Sequence, residues 1–302
     1  MAAPQSPIGS RRRLGAELRR LRLKTGLTLD DVAEMMTCST SKISRLETGK
    51  GVPKLPDVRE LMRIYGVASD TERDMLLRLV MDGRQPGWWE PLTDGVAPER
   101  YVMDSPSRYA ALESDATAVR SFDITVVHGL LQTREYATAV LLALLPQHLP
   151  AEIDRLVRLR LLRQEALRRS ELPPLELLAI LDEAVLRRPV GGAEIMYAQL
   201  RHLLDMAELP TVTVLVLPFG VGMLRAHAGH FVLLEIPREL GSDMVYIEGH
   251  AGETYLDAES DVELYQDVLA DAQRHALSPD ESRAELRRYL DKFAPRRKVL
   301  PS

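Results

Sequence analysis

Apolar residues recur at steps of three and four through the first eighty positions, the spacing of one helical face. Leu14, Leu18 and Leu21 predict an amphipathic helix from Ser10 to Lys24, closed by Gly26. Thr28 is placed to cap a second helix with Asp30 and Asp31 in its first turn, its inner face Leu29, Val32, Ala33 and Met36. After a turn at Thr37-Cys38, Ser39 caps a third helix whose Ile43 and Leu46 point inward and which Gly49 stops. Two more helices are read at Asp57 to Tyr65 and Ser69 to Met81.

Beyond residue 107 the pattern mixes periods of two and of 3.6. Strands are expected at Phe122 to Val127, Leu175 to Leu181, Thr211 to Leu217 (a central strand), Phe231 to Ile236 and Met244 to Ile247, with Glu253 to Leu256 a short edge. Helices are expected at Thr133 to Leu145, Ala151 to Arg169 and Ala193 to Glu208, and two more close the chain, the last opened by the capping box Ser278-Pro279-Asp280-Glu281. The fold class that follows is α+β: a five-helix N-terminal module joined to a larger mixed α/β body with a mainly antiparallel sheet. The boundaries expected are a disordered start (1–9), the helical module (10–82), a linker rich in proline and glycine (83–106), the body (107–293) and a frayed tail (294–302). Trp88-Trp89 inside the linker argues that it is packed against the body.

Charge sharpens this division. The chain of 302 residues carries a net −5, yet residues 1–66 hold 13 Lys and Arg against 7 Asp and Glu. A basic head on an acidic body suits a phosphate-seeking module joined to something that does not bind nucleic acid. One cysteine, Cys38, excludes an internal disulfide, and no uninterrupted apolar run is long enough for a membrane span. No secretory leader is apparent at the start, so a cytoplasmic, nucleoid-associated protein is expected.

Helix-turn-helix geometry gives the head its chemistry. The third helix should present Thr40, Ser41, Ser44 and Arg45 away from Ile43 and Leu46. Short hydroxyls let a helix lie deep in the major groove of DNA, and an arginine one turn on can reach a guanine edge. Base reading is assigned to Thr40, Ser41 and Arg45, and phosphate contact to Thr28, Leu29, Lys42, Ser44, Lys50 and Lys54. Residues 14–66 resemble the Cro/repressor-type helix-turn-helix of the xenobiotic-response-element (XRE) regulators, most specifically in Ser41-Lys42-Ile43-Ser44-Arg45 followed by Leu46-Glu47-Thr48-Gly49. The resemblance implies base reading by Thr40, Ser41 and Arg45, with phosphate contacts near Thr28, Leu29 and Lys50. That family often has glycine in the turn where this chain has Thr37; if the position needs a positive φ, a β-branched residue is strained there.

The body carries Gly129-Leu130-Leu131-Gln132-Thr133, Arg163-Gln164-Glu165-Ala166-Leu167, Leu181-Asp182-Glu183-Ala184-Val185 and Val216-Leu217-Pro218-Phe219. Together these resemble the uncharacterised C-terminal domain of many actinobacterial regulators, some described as antitoxin-like; relatives usually have proline where this chain has His128. The resemblance implies a regulator, often paired with a small partner protein. Gln132, Tyr136, Arg163, Gln164, Asp182 and Glu183 are candidates for a ligand or partner pocket, although internal hydrogen bonds and ion pairs that fix the fold account for them better. His227 and His230 make a weak metal pattern, and the arginine-rich helix after Ala151 is better packed in the body than laid on a membrane.

The sequence thus reads as a DNA-binding transcriptional regulator that acts as a homodimer on double-stranded DNA, without cofactor or metal. Its effector, if small, is not identified. The alternatives are an antitoxin-like protein that sequesters a small partner, or an enzyme carried by the body. Adjacent Asp182 and Glu183 on one strand would face opposite ways, which is poor for paired acid–base work.

Overall fold

The computed structural model describes residues 7–93, 106–169, 173–238, 240–249 and 252–295. The head contains α1 (Pro7–Thr25), α2 (Leu29–Met35), α3 (Thr40–Glu47), α4 (Leu55–Ile64) and α5 (Asp70–Asp82), followed by a short α6 (Glu90–Thr93). Its core is built from the predicted stripes: Leu14, Leu18 and Leu21 of α1 meet Val32 and Ala33 of α2, Ile43 and Leu46 of α3, and Val58 and Leu61 of α4. Each fully buried side chain of this kind contributes about 1.5–3 kcal/mol. Gly15 allows α1 to lie directly on the end of α3, since a Cβ there would stand 2.5 Å from the Glu47 carbonyl oxygen.

The turn between α2 and α3 holds Thr37 at φ 48°, the one non-glycine with positive φ among the described residues. The suspected strain is therefore present, because the left-handed region crowds a β-branched side chain against its own backbone. Thr37→Gly is expected to raise the stability of the head by about 1 kcal/mol, the relieved strain outweighing the extra freedom gained by the unfolded chain. Chemical denaturation of the two full chains checks this; a lower midpoint for the glycine variant would show that the threonine side chain earns its place in the turn.

The body contains α7 (Pro106–Asp115), β1 (Ala118–Asp123), α8 (Arg134–Leu144), α9 (Pro150–Arg163), β2 (Glu176–Asp182), α10 (Glu183–Arg187), α11 (Ala193–Met206), β3 (Val212–Leu217), β4 (Phe231–Glu235), β5 (Met244–Gly249), β6 (Gly252–Leu256), α12 (Glu259–His275) and α13 (Pro279–Phe293). The six strands form one sheet in the order β3-β2-β1-β4-β5-β6. The pairs β1–β2 and β2–β3 are parallel, and β1–β4, β4–β5 and β5–β6 are antiparallel. Side chains alternate between two cores: Val119, Leu181, Val232 and Tyr246 enter one, Phe122, Ile180, Phe231 and Val245 the other. The class is α+β, with the sheet mostly antiparallel.

Several expected boundaries move. The first helix begins at Pro7, and Pro7, Gly9 and Ser10 are buried, so residues 7–9 are not a disordered start. Packing of α1 on α7 accounts for this order. Part of the expected linker is likewise structural: Trp89 and Leu92 pack with Ala110, Ala111 and Leu159. Residues 1–6, 94–105 and 296–302 of the expected start, linker and tail lie outside the described residues.

The first strand is 118–123 rather than 122–127. The run Ile124 to Val127 has strand composition, but pairing stops at Asp123 and the chain turns there; the Val127 N–H is bound by the Tyr136 hydroxyl, 3.2 Å away. The long arginine-rich helix ends at Arg163 and tightens into a 3-10 turn, Gln164–Arg168. The apolar strand β3 is an edge strand, not a central one. Its outer edge is covered all the same: the Val216 N–H donates to Ser282 Oγ at 3.0 Å and the Val216 carbonyl accepts the Leu277 N–H at 2.8 Å. A covered edge needs no charged residues to ward off pairing with other chains, and so reads like an interior strand.

Candidate nucleic-acid interface and the polar interior of the body

Ser39 caps α3, its hydroxyl accepting the Lys42 N–H, and Ile43 and Leu46 anchor the helix in the core. Ser41 and Arg45, one turn apart, are exposed on the outer side. Thr40 is half-buried and donates its hydroxyl to Asp30 Oδ1 at 2.7 Å. Lys42 pairs with Asp57 Oδ2 at 2.8 Å, tying α3 to α4. Ser44 is half-buried and its carbonyl accepts the Thr48 hydroxyl at 2.8 Å. Of the three base-reading candidates, Ser41 and Arg45 are thus presented outward, while Thr40 is engaged by Asp30.

Thr28 caps α2 in a reciprocal box with Asp31. The Asp31 N–H reaches Thr28 Oγ1 at 3.1 Å, and Asp31 Oδ2 accepts the Thr28 N–H at 2.8 Å. The Thr28 hydroxyl and N–H hold the Asp31 carboxyl below its usual range. A carboxylate therefore already occupies the place at this helix end where a phosphate was expected. Leu29 is half-buried against the head core, and Lys50 and Lys54 are exposed on the loop between α3 and α4.

The tilt of α3 is fixed by a pair that the sequence did not single out. Arg22 in α1 grips Glu47, the last residue of α3, through Nε–Oε1 at 2.7 Å and Nη2–Oε2 at 2.9 Å, both side chains buried. Its third hydrogen bond goes to the Leu27 carbonyl at 2.9 Å. Bidentate geometry adds direction to strength, so α1 sets how far α3 stands out from the head. Arg22 and Glu47 are twenty-five positions apart, and nothing in their local spacing marks them as partners.

In the body the six candidate pocket residues separate into two groups. Around the turn Gly129–Leu131, Gln132 Nε2 donates to the Val127 carbonyl at 2.6 Å and its Oε1 accepts Arg160 Nη1 at 2.8 Å. Gln164 Nε2 donates to the Gln132 carbonyl at 2.7 Å. Tyr136 is fully buried, which pushes its hydroxyl up to about 12. Arg163 forms a buried fork with Glu113, both bonds 2.7 Å, against the Tyr109 ring. All four are bonded within the fold.

Asp182 and Glu183 lie apart from these, where β2 runs directly into α10. Asp182 caps Ala184 N at 2.8 Å and holds His227 Nε2 at 3.1 Å. Glu183 accepts the Tyr289 hydroxyl at 2.6 Å, the Phe219 N–H at 2.9 Å and Arg187 Nε at 2.9 Å. Burial alone would raise its pKa, but these three donors hold it down at about 2. The two carboxylates are thus spent on a cap and on a donor cluster. His227 and His230 face different carboxylates, Asp182 and Asp123. Among the described residues no group of three or more His, Cys, Asp or Glu is placed to hold a metal ion.

Comparison with known families follows this division. A helix-turn-helix domain matches residues 13–76, and a domain of unknown function, DUF5753, matches residues 106–288. The chain belongs to the DUF5753 family. No curated protein and no solved structure matches the chain. The helix-turn-helix head marks a DNA-binding regulator, and among the described residues no helix is long and apolar enough to cross a membrane.

Proposed function

We propose that the chain is a sequence-specific transcriptional regulator that reads the major groove through α3, with Ser41 and Arg45 on the base edges, and whose activity is set by the body. The observation that carries this reading is the outward presentation of Ser41 and Arg45 on a short helix whose opposite face is locked in the core. Lys50 and Lys54 serve as phosphate contacts flanking that helix. Thr40 and Lys42 act by holding α3 through Asp30 and Asp57. One recognition helix reads few base pairs, so a homodimer spanning two half-sites about one helical turn apart completes the reading.

The test begins by selecting a preferred duplex from a random pool with the full chain. Arg45→Ala is then expected to lose tenfold or more on that duplex, about 1–3 kcal/mol, while binding random DNA nearly as before at the same salt. Equal losses on both duplexes would reduce Arg45 to a phosphate contact. Failure to retain any duplex at low salt would end the regulator reading.

A further inference from the structure

The sheet of the body carries a transverse row of ionisable side chains that packing does not require. Glu248 of β5 lies opposite Glu253 of β6. Continuing the β4–β5 ladder two residues past Val232–Tyr246 brings His230 opposite Glu248. Continuing the β1–β4 ladder one residue past Phe122–Phe231 brings Asp123 opposite His230, and His230 Nδ1 stands 3.9 Å from Asp123 Oδ1. Strand alternation puts all four on the face of Val119, Val232 and Tyr246. Asp123, His230, Glu248 and Glu253 therefore cross four adjacent strands in one line, where the other positions of that face are apolar, tyrosine or Ser121, whose hydroxyl bonds Asp123.

The row starts at the carboxyl end of β1, beside the strands reached first (β2, β3), and runs across those reached later (β4 to β6). The sheet thus changes here from parallel to antiparallel pairing, between β1 and β4. The end of α9 and the turn after His128 come together: an atom added to Gly129 would sit 3.8 Å from Arg160 Nε and 3.6 Å from Arg163 Nη2. Arg163 lies 4.6 Å over the Tyr109 ring, and that ring packs 4.5 Å from Tyr246, the neighbour of Glu248 on the same face of β5, so the end of α9 meets the row.

The polar groups gathered here are not fully matched to one another. Arg163 is neutralised by Glu113, but Arg160 has no carboxylate within ion-pair distance among the described residues and bonds only the Gln132 carboxamide. Glu248 is half-buried and has no hydrogen-bond partner among the described residues. His128 is 5% exposed, its Nδ1 accepts the Leu130 N–H, and its Nε2 has no partner among the described residues. Like carboxylates paired across strands cost stability, and Arg160 and Glu248 are half-buried, within reach of a ligand. A molecule carrying both signs of charge would satisfy each of these groups at once.

We propose that this end of the sheet binds a small zwitterion of the amino-acid class, its ammonium group against Asp123 and Glu248 and its carboxylate against Arg160 and His128. The site gives a ligand class to the sensing role assigned to the body under the proposed function. Binding is measured without DNA, so a failure of groove reading and a failure of this site are distinguishable.

The experiment is a thermal-melting screen of the full chain against the twenty free amino acids, followed by calorimetry. Each amino acid that binds is compared with its N-acetyl form and its amide. At a hundredfold excess over Kd, at least one free amino acid is expected to raise the melting temperature by about 5 °C or more. Both blocked forms should bind at least tenfold more weakly. Arg160→Gln and Glu248→Gln should each weaken the free form at least tenfold. No shift with any free amino acid would overturn the proposal, as would equal binding of free and blocked forms. The blocked-ligand arm uses the unmodified chain and so stands even if a variant fails to fold.

Discussion

Glu113→Ala is expected to destabilise the body by about 3–5 kcal/mol, because it strands a charge that the fold has enclosed. Arg163 is 9% exposed and Glu113 1%, and the guanidinium finds its carboxylate through two bonds of 2.7 Å. The pair joins α7 to the last turn of α9, far apart in sequence, and the Tyr109 ring covers it with its centroid 4.6 Å from the guanidinium carbon. Removing the carboxylate leaves the full desolvation cost of the cation without its compensation. Replacing both partners, Glu113→Leu with Arg163→Met, should recover most of the loss, since a well-packed apolar pair of similar volume is often as stable as a buried ion pair. Urea denaturation of the three full chains reads both effects. A loss below about 1 kcal/mol for the single variant would mean that water or another acceptor reaches Arg163, as at an exposed pair.

What was legible in the sequence, and what was not, follows from the range of the interactions concerned. The head is legible because its determinants are local. Leu14, Leu18 and Leu21 lie one turn apart, and Thr28 and Ser39 cap the helices that follow them. The strain at Thr37 was readable too, since it depends on one residue and its own backbone. The roles of Thr40 and Lys42 were not: each depends on an acid from a neighbouring helix, Asp30 or Asp57, and helix-to-helix register has no signature in local spacing. The cap at Thr28 was legible, but not the return bond from Asp31 that makes it a box, nor its consequence, which is that a carboxylate stands where phosphate was expected.

In the body, β-branched composition marked Ile124 to Val127 as strand, whereas the ladder ends at Asp123. Composition reports what fits a pleated surface, and pairing decides where the strand stops. The same limit hid the edge position of β3, whose Val216 N–H and carbonyl are met by Ser282 and Leu277 from the far end of the chain. It also hid the row Asp123–His230–Glu248–Glu253. Each member looks ordinary where it stands, and only the registers of three strand pairs bring the four into line.

Asp123→Asn is expected to make the ligand-free chain more stable than its parent at pH 8, by an amount of the order of 2–4 kcal/mol, and to leave it nearly unchanged close to pH 4. Burial pushes the Asp123 carboxyl up to about 7, against which the hydrogen bond from Ser121 Oγ at 2.6 Å works only in part. The folded chain therefore holds this proton more tightly than the unfolded chain, whose aspartate titrates near about 4. A carboxyl raised in this way favours the fold below its unfolded pKa, and that contribution is lost as pH rises through the folded value, at about 1.4 kcal/mol per pH unit. The neighbouring charges do not reverse the sign. Burial lowers the pKa of His230 and so keeps its ring neutral, and Glu248 is itself pushed up to about 7 by burial. Tyr136 on α8 stays protonated throughout this range, and Arg160 on α9 keeps its charge with a pKa of about 10. Asparagine retains the shape and an acceptor for Ser121 but has no proton to lose, so the difference between the two chains isolates Asp123 from the parallel titration of Glu248. Urea midpoints at half-unit steps from pH 4.5 to 8 measure it. Curves that stay parallel across the range, or an asparagine chain that is weaker at pH 8, would show Asp123 ionised and paired with a protonated His230, and the row would then be a self-compensated network with no call for a ligand's ammonium group.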